Sequence, residues 1–341
     1  MTSRVTLAQV AEQSGCSPAA VSLVLSGRAG KRVSRAKADR IRAVAAEMGY
    51  AADPRARALR TGRSGFIGLV SDKLTITRYA SAIVAGSVDQ AQIADRAVLI
   101  SECGVGSLDR DQAIEALMDH RVDGLMIGLM ESRLIDVPEV ARTVPTIVVN
   151  GLAVGVPGIL PDEDSAGYAA TRHLIDTGHT RIALVGRAGP DTSSSLVSRR
   201  FAGIDRAMRE SNLSFVAEQR PRDWEPEAGR AAALDLLRNH DVTALLCAND
   251  RLSFGAYQAA AELGLRIPVD LSIMSFDDEQ LASYLTPGLT TMRLPYEEMG
   301  RRAAQLLTEQ VDSEGNDLAS DQPILVPMVL VERGSVAAPR S

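Results

Sequence analysis

Four apolar runs in this chain stop at polar side chains that could line a ligand cleft. FIGLVS (66–71) runs into Asp72, TIVVN (146–150) ends on Asn150, ALLCAN (244–249) ends on Asn249 and meets Asp250, and LSIMSF (271–276) is followed by Asp277 and Asp278. A carboxylate accepts hydrogen bonds and an amide both donates and accepts. In open α/β sheets ligands sit just beyond the carboxyl ends of the strands, where these residues fall. Asn and Asp also favour turns and helix caps, which is the alternative for any one of them. Four together favour a cleft.

Other chemistry lacks its motifs. GRAG and CGVG complete neither G-x-G-x-x-G nor G-x-x-x-x-G-K-[ST], and G-x-S-x-G is missing, so neither a phosphate loop nor a nucleophile elbow is expected, and no enzyme activity. His120, His173, His179 and His240 show no metal-ligand spacing. Cys16, Cys103 and Cys247 lie far apart, as reduced thiols would in a cytoplasm. No metal and no cofactor are expected. No run approaches about 18 uninterrupted apolar residues, and Met1 leads straight into polar, periodic sequence, so the expected location is cytoplasmic with no membrane contact.

The elements that must carry these residues alternate. The runs named above, with AVLIS (97–101), GLMIG (124–128) and RIALVG (181–186), are separated by longer helical patterns, which means βαβ units and parallel sheets with helices on both faces. The fold class is α/β. A chain of 341 residues, 45% hydrophobic and 4% aromatic, is long enough for two or three folding units.

Charge separates the first unit from the rest. The formal net charge is −6, yet residues 1–63 carry 12 Lys and Arg against 4 Asp and Glu, whereas the remainder carries 25 against 39. A small basic head on an acidic body is the electrostatic footprint of a module made for phosphate backbones. Within the head, Leu7, Val10 and Ala11 recur at helical spacing up to Ser14-Gly15, and Ser17-Pro18 opens a second short helix to about Leu25 with Val21, Val24 and Leu25 on its core side. After the basic loop 28–32, Ser34 is placed to cap a third helix whose Ile41, Val44, Ala45 and Met48 form one stripe ending at Gly49. Two short helices joined by a glycine-containing turn form the helix-turn-helix pattern, with a plain helical hairpin as the alternative.

The stretches VTLAQVAEQSGCSPAAVSLVLSG (5–27) and RVSRAKADRIRAVAAEMGY (32–50) resemble the head of the lactose-repressor/galactose-repressor (LacI/GalR) family of bacterial regulators. That resemblance implies a DNA-binding transcriptional regulator, acting as a homodimer on a double-stranded operator. It makes Pro18, Ala19 and Leu23 base-facing, puts Ser17 and Ser22 near phosphates, and adds Thr6 and Arg32 to the DNA-contacting set. The family more often carries bulkier polar residues and an arginine here. Pro18, Ala19 and Leu23 offer only apolar contact, for example to a thymine methyl, so specificity leans on the hinge and on DNA shape.

AADPRARALRTGR (51–63) is similar to the family's hinge helix, which pairs across the dimer in the minor groove. The resemblance makes Leu59 a wedge between base steps, lets Ala56 approach the groove floor and places Arg55 for phosphates. IGLVSD, HLIDTGHTRIALVG, SRRFAGI, ALLCAND, IMSFDD and LTTMRLPYEEMGRRAAQLL resemble the family's body and, more distantly, periplasmic sugar-binding proteins. This implies two doubly wound lobes, a triad of Arg200, Asn249 and Asp277, and a lining of Asn150, Tyr79, Trp224 and Tyr296, with Asp72 as a further strand-end candidate. The expected effector is a sugar or sugar derivative. The expected divisions are a head at 1–50, a hinge at 51–63 and a body at 64–336. Within the body, the N-lobe covers about 64–162 and 291–323, and the C-lobe about 163–290 and 324–336. The tail beyond about Leu318 lacks a leucine heptad, so no tetramer-forming helix is expected there.

Overall fold

A computed structural model describes residues 5–25, 29, 32–50, 62–73, 77–104, 109–188, 197–313 and 322–340, the side chains of Arg78 and Tyr79 excepted. Two compact units part at Gly65. Much of the expected hinge, including Arg55, Ala56 and Leu59, lies outside the described residues.

The first unit is built from α1 (Leu7–Ser14), α2 (Pro18–Leu25) and α3 (Arg35–Glu47). Gly15 takes the left-handed conformation, φ 64°, and ends α1 as the sequence requires. Ser17 Oγ accepts from the Ala20 amide at 3.2 Å and starts α2. Ser34 sits at the start of α3 with an extended backbone, but its hydroxyl makes no capping bond. Val10, Val21, Val24 and Ile41 are wholly or almost wholly buried where the three helices meet, each contributing about 2 kcal/mol through lost contact with water.

The second unit holds two parallel-stranded sheets. The first contains β1 (Phe66–Asp72), β2 (Ala97–Cys103), β3 (Gly124–Leu134), β4 (Thr146–Leu152), β5 (Gly158–Pro161) and a late strand, Ile324–Val326, in the order late strand, β5, β4, β3, β1, β2. The second contains β6 (Ile182–Val185), β7 (Glu218–Gln219), β8 (Ala244–Cys247), β9 (Ser272–Asp277), β10 (Thr290–Arg293) and Val329–Val331, the last pairing antiparallel to β10. Ile182 to Val185 and Ala244 to Cys247 are fully buried because helices cover both faces of the sheet, which is why these strands read as unbroken apolar runs.

The chain crosses between the sheets three times, from Pro161 to Glu163, from Arg293 to Tyr296 and from Val326 to Val329. The expected lobe limits shift accordingly. Thr290–Arg293 belongs to the C-terminal sheet, between β9 and Val329–Val331, and Ile324–Val326 forms an edge of the N-terminal one. Strands of three and four residues carry too short a pattern to mark that hand-over in sequence.

Helices pack closely where glycines face each other. Helices α4 (Arg78–Ile93) and α5 (Arg110–Asp119) follow β1 and β2; in the next two, α6 (Glu163–Asp176) and α7 (Ser198–Glu210), a β-carbon on Gly167 would lie 2.1 Å from the Arg200 carbonyl, and one on Gly203 would lie 1.9 Å from that of Asp164. These two glycines bring the N-terminal turns of α6 and α7 together and so fix what Glu163 and Arg200 can reach.

Candidate functional site

In the first unit, α2 turns Val21 and Val24 inward and leaves Pro18 and Ala19 exposed, with Ser22 and Leu23 half-buried. Thr6 is held in a capping box: its amide donates to Gln9 Oε1 at 2.8 Å and its hydroxyl oxygen accepts from the Gln9 amide at 3.4 Å. That reciprocal pair fixes where the chain enters α1. Arg32 is exposed, its amide donating to the Ala29 carbonyl at 2.9 Å. The exposed side of α2 thus presents a proline, an alanine and part of a leucine, a narrow apolar surface flanked by the Ser17 and Ser22 hydroxyls.

In the second unit a cavity of about 620 Å3 opens between the lobes. It receives Asn150 from the N-terminal sheet, Arg200, Asn249 and Asp277 from the C-terminal lobe, and Leu294 and Tyr296 from the middle crossover, with Trp224 at its side. The loop ahead of α8 (Pro226–Asn239) carries Trp224, whose ring stands edge-on to Phe201 at 6.4 Å between centroids. A second cavity, about 730 Å3, shares Asp277, Leu294 and Tyr296 with the first and extends toward Ser81 and Val326.

Arg200 is the best-held group in the first cavity. Its Nε and Nη2 donate to the two oxygens of Glu163 at 2.6 and 2.8 Å, its Nη1 donates to the Ala248 carbonyl, and its guanidinium carbon lies 4.4 Å from the centre of the Phe276 ring. Burial works against its charge, but the Glu163 carboxylate outweighs that and raises its pKa above the usual value. Of the two arginines in SRRFAG, only Arg200 stands three residues before Gly203 on the buried face of α7.

Asp277 ends β9 with a positive φ of 116°, and Asp278 follows at 59°. Burial drives the Asp277 carboxyl well above the ordinary carboxylate range, and nearby Asp250 and Glu163 push the same way against Arg200. Asp250, enclosed at the start of α9 (Asp250–Glu262), is pushed up to about 7 by burial, despite accepting from the Thr291 hydroxyl at 2.8 Å and the Glu279 amide at 2.7 Å. Asn249 caps α9, its Oδ1 accepting from the Leu252 amide at 2.9 Å while its Nδ2 donates to the Trp224 carbonyl at 3.3 Å. Asn150, with φ 58°, donates to the Leu129 carbonyl at 2.8 Å and to the Tyr296 hydroxyl at 3.3 Å, and its Oδ1 accepts from Ser132.

Six of the expected cleft residues therefore meet around one cavity: Asn150, Arg200, Trp224, Asn249, Asp277 and Tyr296. Asp72 does not line it. Its oxygens accept from the Met130 amide at 2.7 Å and from Arg133 at 2.6 Å, tying β1 to the far part of β3. The Tyr79 side chain lies outside the described residues. Glu163 was not anticipated, although it follows a strand end, because GILP is only four residues long and ends in proline.

The head matches the family described as bacterial regulatory proteins, lacI family, over residues 6–53, and residues 171–336 match a periplasmic binding protein-like domain. The transcriptional regulator MalR of Streptomyces coelicolor is 33% identical over 99% of this chain and 98% of its own length. The transcriptional repressor PurR of Serratia proteamaculans is 32% identical over 97% of each chain. A lac repressor dimer bound to operator and the anti-inducer ONPF superposes with a TM-score of 0.74 at 27% identity, covering 98% of this chain and 100% of that one. A transcriptional regulator CelR in complex with cellobiose gives 0.64 at 25% identity, covering 97% and 100%. Among the described residues no helix is long and apolar enough to cross a membrane.

Proposed function

The chain belongs to the LacI family of bacterial regulatory proteins, and from that premise we propose that it acts in the cytoplasm as a homodimeric repressor whose grip on an operator is set by a small, sugar-like effector held between its two lobes. Its function is DNA-binding transcriptional regulation. The operator-bound lac repressor dimer and the cellobiose complex of CelR support the dimer and the sugar-like effector respectively. Pro18, Ala19 and Leu23 meet base edges, while Thr6, Ser17, Ser22 and Arg32 approach the sugar-phosphate backbone. In the hinge, Leu59 wedges base steps, with Ala56 against the groove floor and Arg55 on phosphate. The protein works by binding and not by turnover.

One observation carries this reading: the cavity draws its polar lining from both lobes and from a crossover between them. A ligand there touches each lobe at once, so it binds one lobe angle more tightly than another, which is the condition for shifting operator affinity. Its direction, release or recruitment, follows from which angle the ligand prefers.

The test has two arms. Fluorescence anisotropy of promoter fragments from the protein's own genome should show salt-sensitive attachment, with log affinity falling linearly in log salt. A thermal-shift screen of sugars, sugar phosphates and nucleosides should yield a hit that Asp277→Ala loses and that changes the anisotropy titration. Attachment to no fragment, with or without metabolites, sinks the proposal.

A further inference from the structure

We infer that this cleft is built for an uncharged polyol and discriminates against the phosphorylated or carboxylated form of the same sugar. The inference rests on the effector reading above and adds the charge class of the ligand.

Three of the four arginines around the cavity already have their counter-charges. Arg200 is engaged by both oxygens of Glu163. Arg187 pairs with Asp205 at 2.6 Å and Glu218 at 2.5 Å, and Arg251 pairs with Glu225 at 2.5 Å. Arg222 is exposed at the rim, next to the equally exposed Asp223. Among the described residues, four arginines line the cavity beside the carboxylates of Glu131, Glu163, Asp223 and Glu225 and the carboxyl group of Asp277. An incoming phosphate has to break an existing pair or sit beside these carboxylates without a partner, and a buried, unpaired charge is costly. The undescribed segments of the body, LTI (74–76), VGSL (105–108), GPDTSSSL (189–196) and EGNDLASD (314–321), contain no lysine or arginine, and Arg78 is the one basic residue of the body whose side chain is undescribed.

A helix start with open amides is the second route to an anion site; α7 starts beside the cavity after Val197 with no capping side chain, but Arg200 in its first turn is already held by Glu163, and two other starts are occupied. Asn249 Oδ1 fills the start of α9 by capping the Leu252 amide. At the start of α6 the Asp162 carboxylate accepts from the Ser165 amide at 3.2 Å, and the first turn carries Glu163 and Asp164. At the start of α6 phosphate would meet acidic side chains where a phosphate-binding fold presents bare N–H groups. A hydroxyl meets no such penalty, since it donates to carboxylates and accepts from amide or guanidinium N–H. Burial also favours the protonated Asp277 carboxyl, which lets it donate to a neutral oxygen. The regulator on this reading reports a free sugar, before any kinase has acted on it.

Full-length protein is titrated with neutral hexoses, pentoses and disaccharides, and with the corresponding sugar phosphates and uronic acids. The readout is the fluorescence of Trp224, the single tryptophan. The expected result is a saturable neutral ligand whose phosphorylated form binds about 100-fold more weakly, the scale set by desolvating one unpaired charge. Glu163→Gln, which leaves Arg200 with a neutral partner, should narrow that ratio at least tenfold. A phosphate or uronate that binds as tightly as its neutral parent overturns the inference while leaving the effector cleft standing. A panel in which nothing neutral or charged perturbs Trp224, alongside an intact DNA titration, overturns the effector reading and this inference with it.

Discussion

The Arg200 guanidinium and the Glu163 carboxylate face each other through two hydrogen bonds where the side chains are only 4% and 9% exposed. Removing the acid strands a buried cation. Glu163→Ala should lower the unfolding free energy by about 3–5 kcal/mol, and Glu163→Gln by less, because its amide oxygen still accepts one bond. Urea denaturation of the two variants measures this, and a loss below about 1 kcal/mol for the alanine would mean that water replaces the pair.

Gly203 governs the same pair from a distance. A β-carbon there would sit 1.9 Å from the Asp164 carbonyl and 2.8 Å from the Tyr168 amide, both backbone atoms. Gly203→Ala should therefore push α6 and α7 apart, cost about 1–3 kcal/mol and weaken effector binding together with stability. Calorimetric titration with the screened ligand beside a melting curve checks it; unchanged affinity would show that Arg200 does not depend on this crossing.

Asp250 sets a pH dependence of opposite sign to that of ordinary acid denaturation. Its folded-state pKa, about 7, lies above the usual 3.8, so the folded state holds the proton more tightly than the unfolded chain. Stability from this group is complete below about pH 4 and is lost as pH rises to about 7 and beyond. Asp250→Asn should thus look more stable relative to the parent at pH 7.5 than at pH 5, by on the order of 1 kcal/mol or more. Equal differences at the two pH values would show that the carboxyl titrates normally.

On DNA, Leu59→Ala should lose high-affinity operator binding yet keep much of the nonspecific, salt-sensitive binding, because the wedge serves only a kinked site. Leu23→Ala should relax preference at one base pair of each half-site, worth about 1–3 kcal/mol. Competition with single-base operator variants measures both. An unchanged base preference in the Leu23 variant would remove that side chain from the base-contacting set.

How much of this was legible in the sequence depended on the length and strength of each local signal. The head was plain because Gly15, Ser17 and Pro18 are caps and stops with a mechanism, and each occupies the expected place. The long apolar strands were plain because both their faces are buried. Ile324–Val326 and Val329–Val331 were missed, since three residues at a sheet edge carry no period. Strand-end logic found Asn150, Asn249 and Asp277 and overreached at Asp72, whose carboxylate is spent inside its own lobe. Glu163 was invisible because its role is to neutralise Arg200, a partnership between residues 37 positions apart that only folding creates.

Three passages of backbone join the two sheets, at 161–163, 293–296 and 326–329, whereas one joins the helical head to the rest at Gly65. Recombination therefore treats the parts unequally. A single splice near Gly65 exchanges the reader of DNA as a cassette, leaving both sheets whole. Exchanging one lobe needs three matched splices, and a chain cut short before Ile324 takes an edge strand from each sheet at once. New pairings of operator and signal are accordingly far easier to assemble, in a genome or in the laboratory, than new pairings of lobes.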